Sequence, residues 1–163
     1  MDLLPFIPDN ITEVLVKIVQ FTELRRGTLN GNIRGLHAPG YAPRDLPVLE
    51  FAELLHIAIG EHLQHHRLLF RDTANIKFGG GGTMRVHPIA DDHARTLLQT
   101  SPDEYLNLQV TRLLENSLNW KVAQELLQRH SGTIYTLPSL NPDKAVATDG
   151  FPDDQPSRPA ATE

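Results

Sequence analysis

The sequence predicts a mostly α-helical chain built on two long helices, one towards each end of its folded part. Three observations lead there. Apolar residues recur at spacings of three and four over 11–36 and again over 101–135, and each stretch opens on a helix-start signature. The 12 prolines, 11 glycines and 6% aromatic content leave much of the remainder as loop.

The first helix is announced by Asn10 and Glu13, three residues apart as in a capping box. From about Ile11, one face carries Ile11, Val14, Leu15, Ile18, Thr22, Arg25, Leu29, Ile33 and Leu36, broadened by Val16, Val19 and Phe21. Gly27, Gly31 and Gly35 each cost about 1 kcal/mol relative to alanine inside a helix. Their four-residue spacing puts them on one face, where they either admit another backbone or mark a fraying end.

The segment from Asn32 to Asp45 reverses the chain. Pro39 presets φ at the second position of a turn, and Gly40 supplies positive φ at the third. Asn32 is placed to satisfy backbone groups at the end of the first helix, and Tyr41 to pack its ring back over the turn.

Residues Pro47 to about Leu69 read as a shorter middle helix, weakened by Gly60, with Phe51, Leu54, Leu55, Ala58, Ile59, His62 and His66 on or near one face. From Phe70 to Thr100 the periodicity fades. Gly79 to Gly82 reads as a hinge and Thr83 to His87 as a short strand ended by Pro88, so 70–100 is expected to be a flexible connecting segment.

Ser101-Pro102-Asp103-Glu104 is a second capping box, with proline at the first helical position. Nothing interrupts the pattern before Gly132. Leu106, Val110, Leu113, Ser117, Trp120, Gln124, Leu127, Ser131 and Ile134 alternate spacings of four and three, the a/d seam of a coiled coil. Leu114, Leu118 and Val122 flank that seam and widen the surface expected to be buried, either among several helices or in an ordinary bundle. At 1.5 Å per residue the helix is roughly 45–50 Å long. Beyond Leu137 come five prolines and an acidic balance, so 137–163 is expected to be a disordered tail.

A formal charge of -5 and a pI near 5.9, with no basic patch, argue against nucleic-acid binding. Cysteine is absent, which removes disulfides, thiolate nucleophiles and cysteine metal sites. The start, MDLLPFIPDN, lacks the basic and apolar regions of a secretory signal, and no apolar run reaches the 18 residues a membrane span needs. Any export is expected to use no cleaved signal of that kind.

Histidine is the residue type that invites a site. His62 and His66 stand one helical turn apart near His56, His65 and Glu61, a spacing from which two ligands can reach one metal ion. Neither H-E-x-x-H nor its inverted form is present, and a third ligand would have to come from His87 or His93 in the connector. A solvated polar face is the expectation, with no metal. The four glycines before Thr83 have no following lysine and are no phosphate loop. No G-x-S-x-G and no differentiated carboxylate pair occurs, so neither an enzyme nor a cofactor is expected.

The turn carries a family likeness. Asn32, Ile33, Pro39, Gly40 and Tyr41 resemble the flagellar axial proteins, whose signature reads N-I-A-N-x-x-T-P-G-Y followed by a basic residue. Arg44-Asp45-Leu46-Pro47-Val48-Leu49-Glu50-Phe51 continues it as an acidic, phenylalanine-containing stretch, like that of the short rod proteins. The chain departs at Gly35 (asparagine in the family), at Ala38 (threonine) and at Ala42 (the basic residue). In the later helix Leu106, Gln109-Val110, Asn116 and Trp120 stand at the spacings of the family's leucine, acid-methionine pair, asparagine and tyrosine, with Leu106 and Asn116 retained.

The resemblance implies a rod subunit exported through the flagellar type III apparatus into the periplasmic part of the basal body. Its two long helices would pair as an antiparallel coiled coil, within a helical axial domain of residues 9–69 and 101–136, around a central channel. The implied partners are other copies, other rod proteins and the basal-body component nearest the export gate, with no cofactor. With the seam positions Leu113 and Leu127 added from the helical spacing, the residues expected to carry packing are Asn32, Pro39, Gly40, Tyr41, Leu106, Val110, Leu113, Asn116, Trp120 and Leu127. A small helical type III export chaperone or adaptor, and a histidine-based metal-binding module, are the two other readings.

Overall fold

A computed structural model describes residues 10–131. The expected helix end at Gly132, the seam position Ile134 and the tail 137–163 lie outside the described residues, as does the side chain of Ser131.

The elements in order are α1 (Asn10–Arg34), a short 3-10 turn (Gly35–His37), β1 (Arg44–Asp45), α2 (Val48–His65), β2 (Ile76–Phe78), β3 (Met84–Val86), β4 (Ile89–Ala90), α3 (Asp92–Thr100) and α4 (Pro102–Ser131). The chain is mostly helical with two long helices, as the periodicity predicts, and α1 and α4 pack antiparallel, the pairing that the resemblance implies. Two side-chain bonds give the register: the Tyr105 hydroxyl donates to the Asn32 carbonyl (2.9 Å), and the Asn116 amide donates to the Thr22 carbonyl (2.7 Å). Eleven residues along α4 thus retrace ten along α1.

Helix α1 also meets α2, again antiparallel. Phe21 and Phe51 stack with ring centroids 4.0 Å apart, and the side-chain amide of Asn10 meets Nδ1 of His62 at 3.0 Å. The apolar core lies here, where Phe21, Leu24, Leu46, Phe51, Leu54, Ile76, Met84 and Val86 are buried together. Helix α2 ends at His66, which adopts a left-handed conformation (φ 54°) with its N–H on the His62 carbonyl (2.9 Å), a few residues short of the expected Leu69.

The expected flexible connector, 70–100, carries more structure than its fading periodicity indicates. Strands β2 and β3 form an antiparallel hairpin pairing Ile76 with Val86 and Phe78 with Met84, so the expected strand near 83–87 has a partner. Strands this short cannot show a period of two, yet Ile76, Met84 and Val86 supply three of the core's side chains. The Gly79 to Gly82 hinge is the hairpin turn. Its Gly82 carbonyl accepts from the Lys17 ammonium (2.6 Å) and from Gln20 (3.2 Å), which fastens the turn to α1. Burial holds the Lys17 amine below its usual range.

Ser101 joins two helices. Its N–H closes α3 on the Leu97 carbonyl (2.7 Å), while its own carbonyl opens α4 by accepting from Tyr105 (3.0 Å). Helix α3 is capped by Asp91, whose carboxylate accepts from the Ala94 N–H (2.9 Å).

Candidate functional site

The residues of the turn signature converge on Asn32. Its Nδ2 donates to the Arg44 carbonyl (2.7 Å) and to Gln109 Oε1 (2.9 Å); its Oδ1 accepts from the Tyr41 hydroxyl (3.0 Å) and the Arg44 N–H (3.2 Å). Every hydrogen-bonding position of this buried amide is therefore used. One side chain ties α1 to the turn, to β1 and to α4. The turn itself is closed by the Tyr41 N–H on the Ala38 carbonyl (3.2 Å), with Gly40 at φ 71°.

The glycines of α1 find a different partner from the expected backbone. A β-carbon on Gly35 would stand 2.5 Å from three carbons of the Tyr41 ring, and one on Gly31 would stand 3.7 Å from its hydroxyl. The phenol, not a neighbouring helix, occupies that face. Burial raises the Tyr41 hydroxyl above its usual pKa against the opposing pull of Arg44 and Arg34, and pushes Tyr105 up to about 12, helped by Tyr41 and Asp91. Both phenols stay protonated and donating at neutral pH.

Beside this latch lies a four-membered ion network. Arg25 clamps Asp45 with two bonds of 2.8 and 2.7 Å. Arg112 of α4 pairs with Asp91 and stands 3.8 Å from Asp45. Burial alone would raise the Asp91 carboxyl, but the Ala94 N–H and Arg112 outweigh it and hold the group below the usual range. The network fastens α1, β1, the start of α3 and α4 together, and β1 is further pinned by pairing with β4.

From Tyr105 to Ala123 the face of α4 that meets α1 is displaced by one residue from the expected seam, which it rejoins at Leu127. The buried positions are Tyr105, Gln109, Asn116, Ala123 and Leu127, with Arg112 between them. Of the expected packing residues, Asn32, Asn116 and Leu127 are buried, and Tyr41, Leu106, Leu113 and Trp120 are half-buried. Val110, Pro39 and Gly40 are exposed. Leu114, Leu118 and Val122 do not widen the buried surface either; they are exposed, Leu114 by 66% and Leu118 by 62%. Apolar counting favours the greasier line, whereas the paired line is polar because α1 offers Asn32 and two backbone carbonyls to it. Tyr105, Gln109, Arg25, Asp45, Asp91 and Arg112 were missed as members of the site. The Asn32 to Gln109 pair had no signal in apolar spacing.

What remains uncovered is a ridge at four-residue intervals: Val110, Leu114, Leu118, Val122 and Leu126. Its lower part borders an open groove of about 450 Å³ between α2 and α4. Helix α1 contributes Leu15, Ile18 and Phe21 to it, α2 contributes Val48, Ala52 and Leu55, and α4 contributes Leu118, Val122 and Leu126. Leu49 and Leu63 on α2 are also exposed, by 86% and 74%.

The histidines of α2 are spread rather than gathered. His62 is engaged with Asn10, its ring centroid is 6.3 Å from that of His66, and His65 and His66 face solvent. Among the described residues no group of three or more His, Asp or Glu side chains is arranged to hold a metal ion. No described helix is long and apolar enough to cross a membrane. No protein-family model, curated protein or solved structure matches the chain.

Proposed function

We propose that this chain is a structural subunit of the bacterial flagellar basal-body rod, of the proximal-rod type, which assembles by helix packing around the central export channel. The observation that carries the proposal is the uncovered ridge of α4, five large apolar side chains standing outside the helix pair. An apolar stripe of this length on a helix that already has an intramolecular partner suits packing between subunits. The turn signature adds to it, because Asn32 and Tyr41 sit at the junction that fixes how α1, the turn and α4 meet.

In this reading the chain is a mechanical part, with neither substrate nor cofactor. Its neighbours are other copies of itself, other rod proteins and the basal-body component at the export gate, which it reaches through type III export. The test is deletion of its gene in the source bacterium, followed by electron microscopy of isolated basal bodies. Loss of rods and swimming, restored by the wild-type gene, is the expected result. Complete rods in the deletion strain would overturn the proposal.

A further inference from the structure

The exposed ridge of α4 reads the same from either end about Leu118. Leu114 and Val122 stand four residues to either side of it, and Val110 and Leu126 eight. Charge follows the same centre. Glu115 and Lys121 lie three residues to either side of Leu118, both exposed, and neither has an ionic partner among the described residues.

We propose that the ridge docks on the same ridge of a second copy of this chain, antiparallel, with a two-fold axis passing between the two Leu118 side chains. In an isologous contact of this kind each residue meets the one equally far beyond the axis on the other copy. Leu114 of each copy then faces Val122 of the other, and Val110 faces Leu126. Glu115 faces Lys121 twice over, so opposite charges meet on both edges. The other charged residues from 107 to 129 are Arg112, Glu125 and Arg129, which fall opposite Gln124, Thr111 and Asn107, so no like charges oppose each other. Rows at four-residue spacing on two helices interdigitate in the commonest class of helix packing.

The groove makes the two halves of the ridge complementary. Val122 and Leu126 line it, whereas Val110 and Leu114 do not. The two-fold axis brings the half outside the groove of one copy to the mouth of the other copy's groove, and does so reciprocally. Register is set as well. Moving the axis two residues to either side leaves one end of the ridge without an apolar mate and parts Glu115 from Lys121; towards the C-terminus it also sets Glu115 against Glu125. The inference goes beyond the rod reading and does not rest on it: a closed pair uses both ridges, so it is a form of the free subunit that rod assembly has to open.

Sedimentation equilibrium of the full chain measures the pair. Glu115→Lys and Lys121→Glu each set like charges against each other on both edges and are expected to weaken the dimer about tenfold, while the double variant, or an equimolar mixture of the two single variants, is expected to come within about threefold of wild type. The absence of native cysteine gives a second readout. Only a residue on the axis meets its own copy, so Leu118→Cys is expected to form disulfide-linked dimers under mild oxidation; Leu114→Cys alone is not, but mixed with Val122→Cys it is. These side chains are exposed, so helix content by circular dichroism is expected to stay unchanged. A wild-type chain that stays monomeric, a double variant no tighter than the single ones, or Leu114→Cys cross-linking alone as readily as Leu118→Cys would each overturn the proposal. Rod formation is read from the deletion strain instead, so failure of the pair and failure of the rod reading are told apart.

Discussion

Tyr41 fills the space in which Gly35 would carry a side chain: ring carbons Cδ2, Cε2 and Cζ all lie 2.5 Å from the place of a β-carbon there. The flagellar axial signature has asparagine at this position, so this turn is closed in a way that a larger residue forbids. Glycine at 35 and tyrosine at 41 are one structural decision made at two positions.

Gly35→Ala is therefore expected to destabilise the fold by about 1–3 kcal/mol, the range for forcing atoms into a filled site. The methyl group must expel a ring that also holds Asn32 through its hydroxyl. Tyr41→Ala opens the space, and in that background Gly35→Ala is expected to cost little or nothing. Urea denaturation of the two single variants and the double variant measures the interaction, and additive effects would contradict the contact.

The Tyr105 hydroxyl, pushed up to about 12 mainly by burial, makes stability depend on alkaline pH. Its folded value lies above the ordinary 10, so its contribution is complete below pH 10 and is lost as pH rises towards 12. Tyr105→Phe removes the bond to the Asn32 carbonyl and is expected to cost about 1 kcal/mol at neutral pH. Between pH 10 and 12, however, its stability should fall less steeply than the wild type's. Parallel slopes in urea titrations across that window would refute this.

Asp91 acts at the other end of the scale. Its carboxyl is held low by the Ala94 N–H and by Arg112 despite burial, so its contribution is present above pH 4 and disappears as pH falls below that. Asp91→Asn keeps a capping oxygen for α3 but loses the charge facing Arg112, whereas Asp91→Ala loses both. The alanine variant is expected to be less stable than the asparagine variant by about 1 kcal/mol at pH 7. Both should show a shallower acid limb than the wild type in thermal melts from pH 5 to pH 2.

Much of this fold is legible in the residues themselves, and the limits are physical. Pro102 and Gly40 mark a helix start and a turn through local chemistry that needs no tertiary partner, and both stand where such chemistry puts them, whereas Asn10 opens α1 as a helical residue whose side-chain amide meets His62. The choice of face on α4 is not local. Apolar spacing finds Val110, Leu114 and Leu118, but the side that meets α1 is chosen by Asn32, Gln109 and Asn116, whose value appears only when the opposite helix supplies partners. The 70–100 segment is obscured for a related reason: Ile76, Met84 and Val86 join the core from strands too short to show a pattern. The Arg25–Asp45–Arg112–Asp91 network joins four distant stretches and has no signature in any one of them.

The ridge on α4 yields the prediction that separates folding from assembly. Val110 and Leu114 are exposed and line neither the α1 interface nor the groove, so Val110→Glu with Leu114→Glu removes little from the subunit itself. The change in unfolding free energy is expected to stay within about 0.5 kcal/mol for each substitution, as for other surface positions. Between subunits the same charges would have to leave water without partners, which costs several kcal/mol. Wild-type protein is therefore expected to self-associate in sedimentation velocity runs at rising concentration, and the double variant to remain monomeric with an unchanged melt. In the complementation experiment that variant should accumulate normally yet fail to restore rods. A variant that melts normally and still assembles would show that the ridge is ordinary surface, and the rod reading would lose the observation on which it rests.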